Sequence, residues 1–197
     1  MTTTEATGFL RIADESDATR RLFDNDVAQV GHVMNLSRVW AHQPELHGGL
    51  FELMNKAARA ASLSFRQRGV LVVACAATFG DAYCSLAWGK KLADVSDPDL
   101  AGDVVRGDDS RLDATERALA GWARAMTRAP SATVAADLEP LRAAGYDDAQ
   151  ILAITLFVSL RLAFAAVNDA LGVLPDRVLL EHAPEPVRAA VTYGRRG

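Results

Sequence analysis

SFRQRGVLVVACAATFGDAYCSLAWGKKLA, residues 64–93, reads as two helices and the turn between them. Ser64 and Gln67 have the S-x-x-Q spacing of a capping box, in which the serine oxygen and the glutamine side chain each accept from the other's backbone amide. A helix is therefore expected from there to about Thr78. Gly80 ends it, because glycine takes the left-handed conformation of a helix stop at little cost. Asp81 then reads as the N-cap of a second helix through about Ala93, since a short carboxylate accepts from the free amides of the first turn. Cys84 falls at the third position of that helix.

The same punctuation extends in both directions. A helix is expected from about Asp17 to Val30, a short one near Asn35 to Ala41, and a third from Pro44 through Ala60, with proline where its missing N–H costs nothing. Downstream, Asp97-Pro98 starts a short helix that Gly107 stops, and Asp113 with Glu116 boxes the start of one running to Arg128. A further helix is expected from about Thr133 to Gly145, and Asp147 with Gln150 boxes a long one that ends at Gly172. No segment alternates apolar and polar residues between turn clusters, so the class is all-α. No linker or repeat divides the chain. One domain is expected over residues 17–176, after a polar lead (1–16) and before a loosely attached tail (177–197) around Pro184 and Pro186.

Several function classes are disfavoured. The 197 residues suffice to bury about 70% of the unfolded surface without a staple. A net charge of −4 lacks the concentrated Lys/Arg surface that nucleic acid demands. The start MTTTEATGFLRIADESD is neither signal peptide nor anchor. Two cysteines, Cys75 and Cys84, fit reduced thiols in the cytoplasm. The apolar run from Ile151 to Val167 carries Arg161 near its middle, so it is expected as a buried or subunit-interface helix and not a membrane span.

Phosphate-loop and nucleophile-elbow motifs are missing. Asp24-Asn25-Asp26 lacks the glycine and the closing glutamate of a calcium loop and reads as solvated helix surface. His42 and His47 straddle Pro44 on different faces, and His32 and His182 have no ligand at useful spacing, so no metal or other cofactor is expected. His42 reads as a surface or capping residue, while His47 is a candidate pocket wall.

Cys84 is the one candidate nucleophile. A helix start favours the thiolate, but Asp81 puts a negative charge on the same face and Trp88, four residues on, can cover the sulfur with an apolar ring. A reactive thiol and a buried small hydrophobe both remain open for Cys84. Cys75, mid-helix, reads as buried.

MNLSRVWAHQPEL at 34–46, the 64–93 stretch, LDATERALAGWARAMTRAPSATVAADLEPLRAAGYDDAQILAI at 112–154 and NDALGVLPD at 168–176 together resemble, in this order, the AhpD-like alkylhydroperoxidase and carboxymuconolactone decarboxylase family in its peroxidase-related branch. The resemblance implies the AhpD-like all-α fold, normally assembled as a homo-oligomer. It also implies a C-x-x-C pair, a histidine four residues after the second cysteine and a glutamate in the preceding helix. Cys84 matches the second cysteine, while Asp81 stands for the first, Trp88 for the histidine and Gly69 for the glutamate.

The dithiol cycle, in which a thiolate reduces a peroxide and a neighbouring thiol resolves the sulfenic acid, then lacks its resolving sulfur. Gly69 suggests room beside it for Trp88 or a ligand. Two functions are expected to compete. The first is a non-redox relative that binds a small apolar molecule, or does acid–base chemistry, at Asp81, Trp88 and Gly69. The alternative is a single-cysteine hydroperoxidase working through Cys84 with an external thiol.

Overall fold

The computed structural model describes residues 8–196, and the first seven residues of the expected polar lead lie outside them. Among the described residues the chain forms eleven α-helices, two 3-10 turns and no strand. The helices are α1 (Asp17–Val30), α2 (Asn35–Trp40), α3 (Pro44–Ala60), α4 (Phe65–Phe79), α5 (Ala82–Asp94), α6 (Pro98–Arg106) and α7 (Ala114–Arg128). They continue as α8 (Glu139–Ala143), α9 (Asp148–Ala170), α10 (Arg177–His182) and α11 (Glu185–Ala190).

Capping boxes form at Ser64/Gln67, Asp113/Glu116 and Asp147/Gln150, and Asp81 caps α5 by accepting from the Cys84 amide at 3.0 Å. These starts need only residues three apart. The expected helix over 133–145 is instead two 3-10 turns, Pro130–Ala132 and Ala135–Leu138, followed by α8. Pro140 explains the break, because in a helix interior it would delete a backbone hydrogen bond and clash with the preceding turn.

Helix α4 is the axis of the fold. Val70, Leu71, Val73 and Ala74 are fully buried, enclosed by α5, α6, α7 and α9. Each such Val or Leu contributes about 1.5–3 kcal/mol of transfer free energy, which accounts for a helix that is apolar all round. The apolar 151–167 run lies in α9, which buries Ile154, Phe157, Val158 and Phe164 against α3 and α4 while Leu152 stays 70% exposed. Helix α9 is the one helix among the described residues long and apolar enough to cross a membrane. Its Arg161 face is turned into the protein.

The tail holds on more firmly than the sequence suggested. Val187 of α11 is fully buried, and α11 packs on α6 and α5. A Cβ on Gly89 would sit 2.5 Å from Val187 Cγ1, and one on Gly102 would sit 2.8 Å from the Pro186 carbonyl oxygen. Two glycines far upstream thus make the seat for this segment. At the other end, the Phe9 amide donates to the Leu171 carbonyl at 2.8 Å.

Candidate functional site

Gly80, in the left-handed region at φ 90°, turns α4 into α5 and places Asp81 and Cys84 inside the core, at 0% and 3% exposure. Burial pushes the Cys84 thiol well above its ordinary range, the Asp81 carboxyl adds to the rise, and the Arg161 guanidinium opposes it. Asp81 is itself raised by burial. Its Oδ1 takes the Cys84 amide, and its Oδ2 has no hydrogen-bond partner. Cys75 is also a free, buried thiol, pushed up to about 11 by desolvation.

The group facing the Cys84 sulfur from across the core is Arg161, one helix turn after Phe157 on α9. Arg161 is only 5% exposed. Its Nη2 lies 3.9 Å from Cys84 Sγ and its Nη1 lies 3.7 Å from Met54 Sδ. The guanidinium carbon sits 5.1 Å from the Trp88 ring and 5.5 Å from the Phe164 ring, within cation–π range of both. Nε has no hydrogen-bond partner, and among the described residues Arg161 makes no ion pair.

Arg161 and Trp88 form part of the wall of a cavity of about 630 Å³ between α1, α3, α4, α5 and α9. Phe51, Met54 and Phe157 add apolar wall, and Arg68 and His47 add polar groups. Burial lowers His47 to about 4, so its imidazole is neutral at pH 7. Its Nε2 and the Arg68 Nε are both buried without a partner. The volume falls in the range of small-molecule sites, as does the mix of an apolar wall with a few polar groups.

Two solved structures are similar to this chain along most of its length. One, an uncharacterized peroxidase-related protein from Silicibacter sp., matches with a TM-score of 0.79 and 26% identity over 91% of this chain and 97% of its own. The other, an alkylhydroperoxidase AhpD core from Ralstonia eutropha, also an uncharacterized peroxidase-related protein, matches with a TM-score of 0.74 and 20% identity over 89% and 96%. The chain has the AhpD-like helical fold and is similar to these peroxidase-related proteins. No protein-family model matches the chain, and no curated protein does.

Within the AhpD-like fold the four residues singled out in the sequence separate. Trp88 lies on the cavity wall, while Cys84 and Asp81 are enclosed behind it. Gly69 is buried against α5, where an added Cβ would meet Leu92 Cδ1 at 3.3 Å. The room beside Gly69 is therefore taken by Leu92 and not by Trp88 or open space. Trp88 makes a cation–π contact with Arg161. His47 reaches the cavity wall, and His42 is exposed, its Nε2 2.9 Å from the Arg11 carbonyl. Among the described residues no three His, Cys, Asp or Glu side chains group as metal ligands.

A further sequence reading is corrected at Asp26. Asp26 is not solvated surface but 1% exposed, accepting from the Met34 amide at 3.0 Å where α2 begins. Burial raises its carboxyl, and Ser37 and the Met34 amide oppose the rise. Arg161 was missed as a site residue. Its signal was a lone charge between Phe157 and Phe164 in an otherwise apolar helix, which requires either a counter-charge or a purpose.

Proposed function

We propose that this chain is a non-redox, small-molecule-binding relative of the AhpD-like peroxidase-related proteins, with its ligand in the cavity between α3 and α9. One observation carries the reading: the open volume lies on the Trp88 and Arg161 side, while Cys84 is walled off and kept neutral by burial beside Asp81. A thiolate is the form that attacks peroxide, and no second sulfur stands where Asp81 is. Acid–base work by Asp81 is supported less, because its carboxyl does not line the cavity. The test is tryptophan fluorescence against a panel of small aromatic and aliphatic compounds. Saturable quenching is expected, and it should be lost in Trp88→Phe. A panel that leaves the emission unchanged would count against a binding cavity.

Arg161 Nη2 at 3.9 Å from the sulfur favours a second reading, since a cation beside a thiol promotes its ionisation. The Cys84 sulfur would attack a hydroperoxide oxygen, break the O–O bond and leave a sulfenic acid and an alcohol. Two external thiols would then restore it, releasing water and their disulfide. Turnover of cumene hydroperoxide that vanishes in Cys84→Ser would establish this reading.

Assembly belongs to the same proposal. Leu152 and Leu156 form an exposed apolar strip on α9 that suits a homo-oligomer contact in a cytoplasmic protein. Light scattering should give a mass above 21.1 kDa, and a monomer would remove the contact.

A further inference from the structure

Resting on the binding reading above, we propose that the cavity selects an amphiphilic monoanion: a carboxylate-sized head paired to Arg161, on an apolar body held against Trp88, Phe51 and Phe157. The wall combines a cation 95% buried with aromatic surface, and among the described residues the cation makes no ion pair within 4 Å, its acidic neighbour Asp81 acting on it only through longer-range attraction from behind the wall. A guanidinium offers five N–H donors in a fork that matches a carboxylate. Here Nη1 and Nη2 reach only sulfur, at 3.7 and 3.9 Å, and Nε reaches nothing. Sulfur is a weak acceptor, so most of the donor capacity of Arg161 is unused.

Two further groups point the same way. The Arg68 Nε is buried on the same wall without an acceptor, and the neutral His47 carries a buried Nε2 that is also unpartnered. Asp26 is the acidic counter-example on this wall, but its Oδ2 is committed to the Met34 amide. Glu45 stands at the exposed rim. The Trp88 and Phe164 rings lie within cation–π range of Arg161, at 5.1 and 5.5 Å, and hold the guanidinium in place before any ligand arrives. A flat anion would therefore meet an ordered fork with an apolar floor.

The probes are naphthalene-2-carboxylate and its neutral counterpart naphthalene-2-methanol, titrated into the full chain by calorimetry at pH 7, with acetate as a bare-head control. The carboxylate is expected to bind about tenfold or more tighter than the alcohol, as a charge-assisted, desolvated pair should. Acetate should bind far more weakly. Arg161→Leu should erase the preference for the acid and keep the alcohol, whose retained binding shows that the variant is folded. If that variant does not fold, the wild-type comparison of acid with alcohol still decides.

Equal affinity for acid and alcohol would overturn the anionic head while leaving a binding cavity in place. An acid preference that survives Arg161→Leu would overturn Arg161 as its partner, and acetate as tight as naphthoate would overturn the apolar body. Silence from both naphthalenes at millimolar concentration would overturn the binding reading together with this proposal.

Discussion

Arg124 and Arg161 are almost equally buried, at 7% and 5% exposure, yet their surroundings are opposite. Arg124, on α7, pairs through Nη2 with Asp109 Oδ1 at 2.8 Å and with the Val104 carbonyl at 2.9 Å, tying α7 to the end of α6. Arg161 has two aromatic faces and two sulfur atoms and no carboxylate in contact. A buried charge is tolerable when it is paired and costly when it is not. The first arginine therefore belongs to the scaffold. The second is an expense that the scaffold does not need, as expected of a group retained for a ligand.

The contrast is broken most severely at Arg124. Arg124→Met should lower stability by about 2–4 kcal/mol in urea unfolding, since it strands Asp109 and the Val104 carbonyl. Arg161→Met should change stability by only about 1 kcal/mol, and in the favourable direction, while losing acid binding. A large loss there would mean that Arg161 is structural after all.

Asp81 gives a smaller effect of the same kind. Asparagine caps as well as aspartate, and burial already disfavours the charge, so Asp81→Asn should be neutral or mildly stabilising. Asp81→Ala should cost about 1 kcal/mol, as lost caps do. His47 adds an acid response. Its folded pKa, near 4, lies below the ordinary value of 6.5, so the folded state resists protonation. The stability it contributes is present above pH 6.5 and is lost as the pH falls towards 4. His47→Phe should flatten that part of the Tm–pH curve.

The scaffold half of this comparison was readable in the chain, and the site half was readable only in part. Ser64 with Gln67, Asp113 with Glu116 and Asp147 with Gln150 announce helix starts within four residues, so local chemistry decided them. The α4–α5 turn and the N-terminal place of Cys84 follow from Gly80 and Asp81 alone. What escaped depends on distant partners. Asp26 is buried because it reaches the Met34 amide eight residues away, and α11 is anchored because Gly89 and Gly102 leave space for Val187 and Pro186. Gly69 hinted at room, but nothing in its own helix revealed that Leu92 fills it. Arg161 was visible as an oddity in α9, yet the sulfur and aromatic rings around it come from α3 and α5 as well as α9.

The barrier between the cavity and the thiol can be tested directly at Cys84. The folded protein would be exposed to excess cumene hydroperoxide with a sulfenic-acid trap at pH 7, and each cysteine weighed by peptide mass spectrometry. A neutral sulfur enclosed behind Arg161 and Trp88 predicts unmodified Cys84 over the time in which an unfolded control is fully labelled. Rapid, stoichiometric trapping at Cys84 in the folded protein, with the thiol regenerated by added reductant, would contradict it.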